Sequence, residues 1–62
     1  MSTTQQINEA LATFVAEDTK FTAGNAAAGT RARKALAELG KLIKVRRNEI
    51  TAEKAARKEA KV

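Results

Sequence analysis

The chain has no cysteine, histidine, proline, tyrosine or tryptophan, and only two phenylalanines and three glycines among its 62 residues. Without cysteine or histidine there is no disulfide or zinc staple to hold so short a chain. The same absence removes the common nucleophile and base pairings of covalent catalysis. No glycine-rich loop follows a strand to cradle a phosphate, and no ligand cluster suits a metal. The expectation is a non-enzyme that uses no cofactor and no metal. Two phenylalanines are too few for a stacking platform of the single-strand-binding kind. No apolar run is long enough for a membrane span or a signal-peptide core, so a soluble, cytoplasmic protein is expected. The lack of cysteine leaves the redox compartment open.

What is present is charge, and it is segregated. Residues 31–62 hold eleven Lys/Arg against four Glu, a formal charge of +7. Residues 1–30 set Lys20 against Glu9, Glu17 and Asp18, giving −2, and the whole chain carries +5. A half this basic is an electrostatic footprint for a polyanion.

Alanine, lysine, arginine and glutamate dominate, which is helix-former composition. Thr3 and Gln6 have capping-box spacing. Ile7, Leu11, Phe14 and Phe21, with Val15 beside them, mark one face of a helix from about Thr4 to Thr22. Asp18 interrupts that stripe, and either meets a basic residue of a neighbouring helix or lies at a poorly buried end. Gly24 is the expected stop, and Asn25 the N-cap of a second helix. That helix is predicted from Ala26 to about Lys58. Its seam is Leu36, Leu39, Ile43 and Ile50, with Leu42 at the flank and Ala28, Ala32 and Ala35 continuing it forward. After Ile50 the seam loses its apolar character, so a frayed basic tail is expected over 55–62. Strands are not expected, for period-2 alternation is missing. The fold class is therefore all-α: one domain over 1–62, a two-helix hairpin with a long basic second helix. Large apolar side chains are few for a chain of this size, which points to self-association, as a homodimer or higher oligomer forming a helical bundle.

On a helical wheel Arg33, Lys34, Lys41, Lys44, Arg47 and Lys58 fall on one arc of about 140°. Glu38, Glu49 and Glu53 fall on the opposite flank. Charges that serve solubility alone are better mixed in sign, whereas a one-sided array can meet several phosphates in a row. The plainer reading is a solvated face, with Glu49 pairing to Lys41 or Arg46. Gly29 and Gly40 share the strip of Arg33, Lys44 and Arg47. They allow close approach of either a nucleic-acid backbone or another helix, and packing by a helix is the commoner reason for such a glycine.

The string Gly24-Asn25-Ala26-Ala27-Ala28-Gly29-Thr30-Arg31-Ala32-Arg33-Lys34, followed by a Lys/Ala/Glu/Leu helix with Arg46-Arg47 and Ala52-Glu53-Lys54, resembles the bacterial linker-histone-like family of chlamydial-type nucleoid proteins. The resemblance covers roughly Gly24 to Lys54. It implies a nucleoid-associated protein that binds DNA without strong sequence preference and compacts it, and it carries Arg31, Arg33, Lys34, Lys41, Lys44 and Arg47 over as phosphate contacts. Two departures stand at Ala26 and Arg46, where family members commonly have a lysine and an aromatic.

The combined expectation is phosphate-backbone binding through Arg31, Arg33, Lys34, Lys41, Lys44, Arg47 and Lys58. DNA is the expected partner, and RNA is the other polyanion of matching charge. The rival reading is a small helical oligomerisation module without nucleic-acid binding, its charges setting partner choice. A basic amphipathic helix on an anionic membrane is a third, weakened by the absence of tryptophan and by the Leu/Ile seam.

Overall fold

The computed structural model describes residues 2–57. They form two α-helices, α1 (Thr3–Thr22) and α2 (Ala26–Arg57), packed against each other as a hairpin. The molecule is a rod of 52 × 19 × 16 Å. No helix is long and apolar enough to cross a membrane. The basic tail expected beyond Arg57, with Lys58 in it, lies outside the described residues.

Local chemistry explains the ends. The capping box forms at Ser2 and Gln5, one residue earlier than Thr3 and Gln6. The Gln5 N–H donates to Ser2 Oγ at 3.1 Å, and the Ser2 N–H donates to Gln5 Oε1 at 3.0 Å. Both spacings satisfy the motif, but the Thr3 hydroxyl is taken by a longer-range partner: it donates to Glu49 Oε2 at 2.7 Å across the hairpin. At the other end α1 closes with a Schellman motif. Asn25 N–H donates to the Lys20 carbonyl at 3.0 Å and Gly24 N–H to the Phe21 carbonyl at 2.9 Å. Gly24 takes φ +111°, which residues with a β-carbon adopt only under strain. Asn25 then caps α2, its Oδ1 accepting from Ala28 N–H at 3.1 Å. One short turn thus ends one helix and begins the next.

The inward row of α2 is Ala28, Ala32, Ala35, Leu39, Leu42, Arg46 and Glu49, at alternating steps of four and three. Against it lie Thr3, Ile7, Ala10, Phe14 and Glu17 of α1, all half-buried. Only Ala28, Ala32 and Ala35 are fully buried, at 0, 6 and 8% exposure. The seam drawn through the largest side chains is therefore corrected by a rotation of one position. Leu39 faces inward with Leu42, whereas Leu36, Ile43 and Ile50 stand one step further round and remain exposed. On α1, Leu11, Val15 and Phe21 are likewise exposed. The cause is alanine. Small side chains near the turn let α1 approach closely, so the alanine row, not the leucine row, sets the line of contact. Gly29 belongs to the same packing: a β-carbon there would sit 2.6 and 2.8 Å from the Phe21 ring. At Gly40 an added β-carbon would meet nothing within 4 Å.

Candidate nucleic-acid interface

The inward row decides where the cations go. Positions flanking it on one side put Arg31 and Lys34 beside Glu17 and Glu38, and positions on the other put Arg33 beside Asp18. Lys44 stands on the back of α2, opposite α1. Lys41 joins Lys34 on one shoulder and Arg47 joins Arg33 on the other, each seven or fourteen residues along. The result is an outer surface of Arg33, Lys34, Lys41, Lys44 and Arg47, all exposed. From Arg33 to Arg47 it runs about 21 Å along the helix.

The acids are spent elsewhere. Glu17, with a side chain only 15% exposed, receives Arg31 Nε at 2.9 Å and ties the two helices together. Arg46, on the inward row, donates to Glu49 at 3.0 Å and reaches Glu53 at 3.5 Å. Glu53 also meets Arg57 at 3.7 Å. The Thr3 hydroxyl bond, followed by the Arg46 guanidinium, holds the Glu49 carboxyl below its ordinary range. The Glu49 bond in turn holds Arg46 above its own. Among the described residues, none of Arg33, Lys34, Lys41, Lys44 and Arg47 makes an ion pair. Inner cations are neutralised within the hairpin, and outer cations are left to solvent. The Asp18 carboxylate lines the same open groove as Arg33 without bonding to it.

Of the residues expected to meet phosphate, the structure thus brings five onto one outer surface and turns Arg31 toward Glu17, with half its side chain still exposed. Lys58 lies outside the described residues. Among the described residues no group of three or more acidic side chains is placed to hold a metal ion.

A family profile covers residues 1–56, and its description is histone H1-like protein Hc1. The chain belongs to the Hc1 family. The match takes in both helices, well beyond the Gly24–Lys54 stretch that carried the resemblance. An Hc1 protein is a histone-like, non-enzymatic DNA binder with a nucleoid-compacting role. Comparison with curated proteins and with solved structures finds no significant match. In this Hc1 hairpin, the pairing of Glu49 with Arg46 was one of the two that sequence reading offered, but the Thr3 hydroxyl that joins them across the open end was missed. The one available signal was an arginine falling at a 3,4-spaced inward position, where an apolar residue is the rule.

Proposed function

We propose that this Hc1 hairpin binds the phosphate backbone of duplex DNA without regard to sequence. The contact surface is the back of α2: Arg33, Lys34, Lys41, Lys44 and Arg47, with Arg31 at the margin; Lys58, expected from the sequence to join them, lies outside the described residues. The observation that carries this reading is the sorting of cations. Among the described residues, every acid that forms an ion pair does so on or beside the inward row, which leaves a basic strip about 21 Å long with no ion pair of its own. Several phosphates fall within reach of such a strip. Their counterions are released on binding, and that release supplies most of the affinity of a backbone binder. Two copies would present two strips and so bridge or compact DNA within the nucleoid of the cell. RNA offers the same charges in A-form geometry and is a competitor to include in the test.

Gel-shift titration over a salt series tests the reading. If about four to eight phosphates are neutralised, log affinity falls against log salt with a slope of about −4 to −7. Unrelated duplexes of equal length should bind within a few-fold of one another. A slope near zero would show that the protein is an interaction module whose basic strip is merely solvated. A roughly hundredfold preference for one sequence would show base readout instead.

A further inference from the structure

The back of α2 has an order of its own. Arg33, Gly40 and Arg47 recur at intervals of seven on one shoulder, and Lys34 and Lys41 do so on the other. Between the shoulders run Thr30, Ala37, Lys44 and Thr51. All of these residues are exposed, and none is acidic or large and apolar. The surface is lowest in its middle, where Ala37 and Gly40 separate Arg33 and Lys34 from Lys44 and Arg47. Gly40 falls midway between the two arginines. An interior glycine weakens a helix against alanine. Packing within the hairpin does not account for it, since a β-carbon on Gly40 would meet nothing within 4 Å.

We propose that α2 lies in the major groove of B-form DNA, with its cationic shoulders on the phosphates of the two strands and Gly40 at the point of deepest approach. The inference rests on the phosphate-binding reading above and adds the groove to it. Width selects the groove. A helix with its side chains is about 10–12 Å across. The major groove, about 12 Å wide, admits a helix, whereas the minor groove is about 6 Å wide. α1 packs on the inward row and leaves the back of α2 clear. A straight helix in a curved groove comes nearest the base edges at its middle and meets the phosphate walls toward its ends. The small side chains stand at the middle, and the arginines stand toward the ends. Docking on the outside of the phosphate ridge would instead call for charge along the centre line, where Thr30, Ala37 and Thr51 leave Lys44 alone. On the groove floor Lys44 faces purine N7, an acceptor that both A·T and G·C pairs present there. Such a contact is indifferent to sequence. The A-form RNA duplex has a deep, narrow major groove that side chains cannot enter. The same geometry therefore selects duplex DNA over duplex RNA.

Dimethyl sulfate tests the groove directly, because it methylates guanine N7 in the major groove and adenine N3 in the minor groove. With the full chain at saturation, N7 methylation should fall about fivefold and N3 methylation should stay unchanged. The reverse pattern, or no protection, overturns the proposal. DNA whose cytosines carry glucosylated hydroxymethyl groups has a filled major groove and should bind about tenfold more weakly. Duplex RNA of equal length should also bind about tenfold more weakly at the same salt. Equal affinity for either overturns the proposal. Gly40→Leu keeps the net charge at +5 and favours the helix. It should weaken DNA binding about tenfold by holding the helix off the groove floor. Ala12→Leu, on the exposed outer face of α1, should leave binding unchanged. Circular dichroism confirms the helices in both variants, and sedimentation compares their masses. Undiminished binding by Gly40→Leu overturns the proposal, as does a loss that comes only with a change of mass. The salt series separates this inference from the reading beneath it. A slope of about −4 to −7 with N7 unprotected leaves phosphate binding standing and overturns the groove alone, whereas a slope near zero removes both.

Discussion

Gly24 and Asn25 carry the whole reversal of the chain, each for a different reason. Gly24 holds φ at +111°, so Gly24→Ala should cost about 1–2 kcal/mol of stability, seen as a lower thermal midpoint at fixed protein concentration. Asn25 supplies the Oδ1 acceptor that opens α2, and Asn25→Ala should cost about 1 kcal/mol by loss of the cap. At the open end a single carboxylate sets the response to acid. Glu49 is held below its ordinary value by Thr3 and Arg46 in the folded chain. Its contribution is therefore present above the unfolded carboxylate value of about 4.3 and is lost as pH falls below it. Helicity should decline over that acid range, and Glu49→Gln should remove part of the decline. An unchanged acid titration in Glu49→Gln would show that the closure contributes nothing. These caps were legible in the sequence to within a residue. The Thr3–Glu49 bond was not, because it joins residues 46 apart and depends on the register of the hairpin.

The two helices divide the work. α1 carries the acid that ties down Arg31, and α2 carries the free basic strip. Arg31→Ala and Arg33→Ala should therefore differ in kind. Arg31→Ala removes an interhelical pair that is partly screened by water, and its effect on stability should stay below about 1 kcal/mol. Arg33→Ala should leave stability alone and reduce the salt slope of DNA binding by about one. Position along α2 matters as well. Arg33 and Lys34 stand where α1 and the alanine row brace the helix, whereas Arg57 lies past the level of Thr3, where α1 begins. Changing Arg33 and Lys34 to Ala should weaken binding more than removing residues 57–62, measured at fixed salt. The opposite ranking would make the tail the DNA-binding element. Helix existence, order and turn were readable from periodicity and caps. The seam was read in part: Leu39 and the alanines that continue it do face inward, but a pattern weighted to Leu and Ile also drew in Leu36, Ile43 and Ile50, which stay exposed. The three alanines nearest the turn govern how closely the helices meet, and Arg46 occupies an inward position on the strength of Glu49 and Glu53.

For the whole molecule, stability and assembly are coupled. If two copies share one core, the thermal midpoint must rise with protein concentration, by mass action. A midpoint independent of concentration over a hundredfold range, about 2.7 kcal/mol of driving force, would show a self-sufficient hairpin. Leu39→Asp should abolish helicity and association together, since it puts an unpaired charge on the inward row. The candidate DNA surface was legible as a charge arc. What the sequence could not show was that the fold would neutralise Arg31, because its partner Glu17 comes from the other helix.

The crowding of the three buried alanines beside the turn has a kinetic consequence. Ala28, Ala32 and Ala35 all lie within about a dozen residues of Asn25, so their contacts close the shortest loops available to this chain. Docking of the helices should therefore begin there and proceed toward Thr3 and Glu49, as a zip does from its closed end. Backbone amides should record that direction. Those from about Arg31 to Leu39 should exchange with solvent deuterium most slowly, and protection should fall steadily along α2 toward Arg57. A breathing hairpin of this kind separates its arms at the open end first. The joint itself, where each helix caps the other, should be the last part of the molecule to come undone.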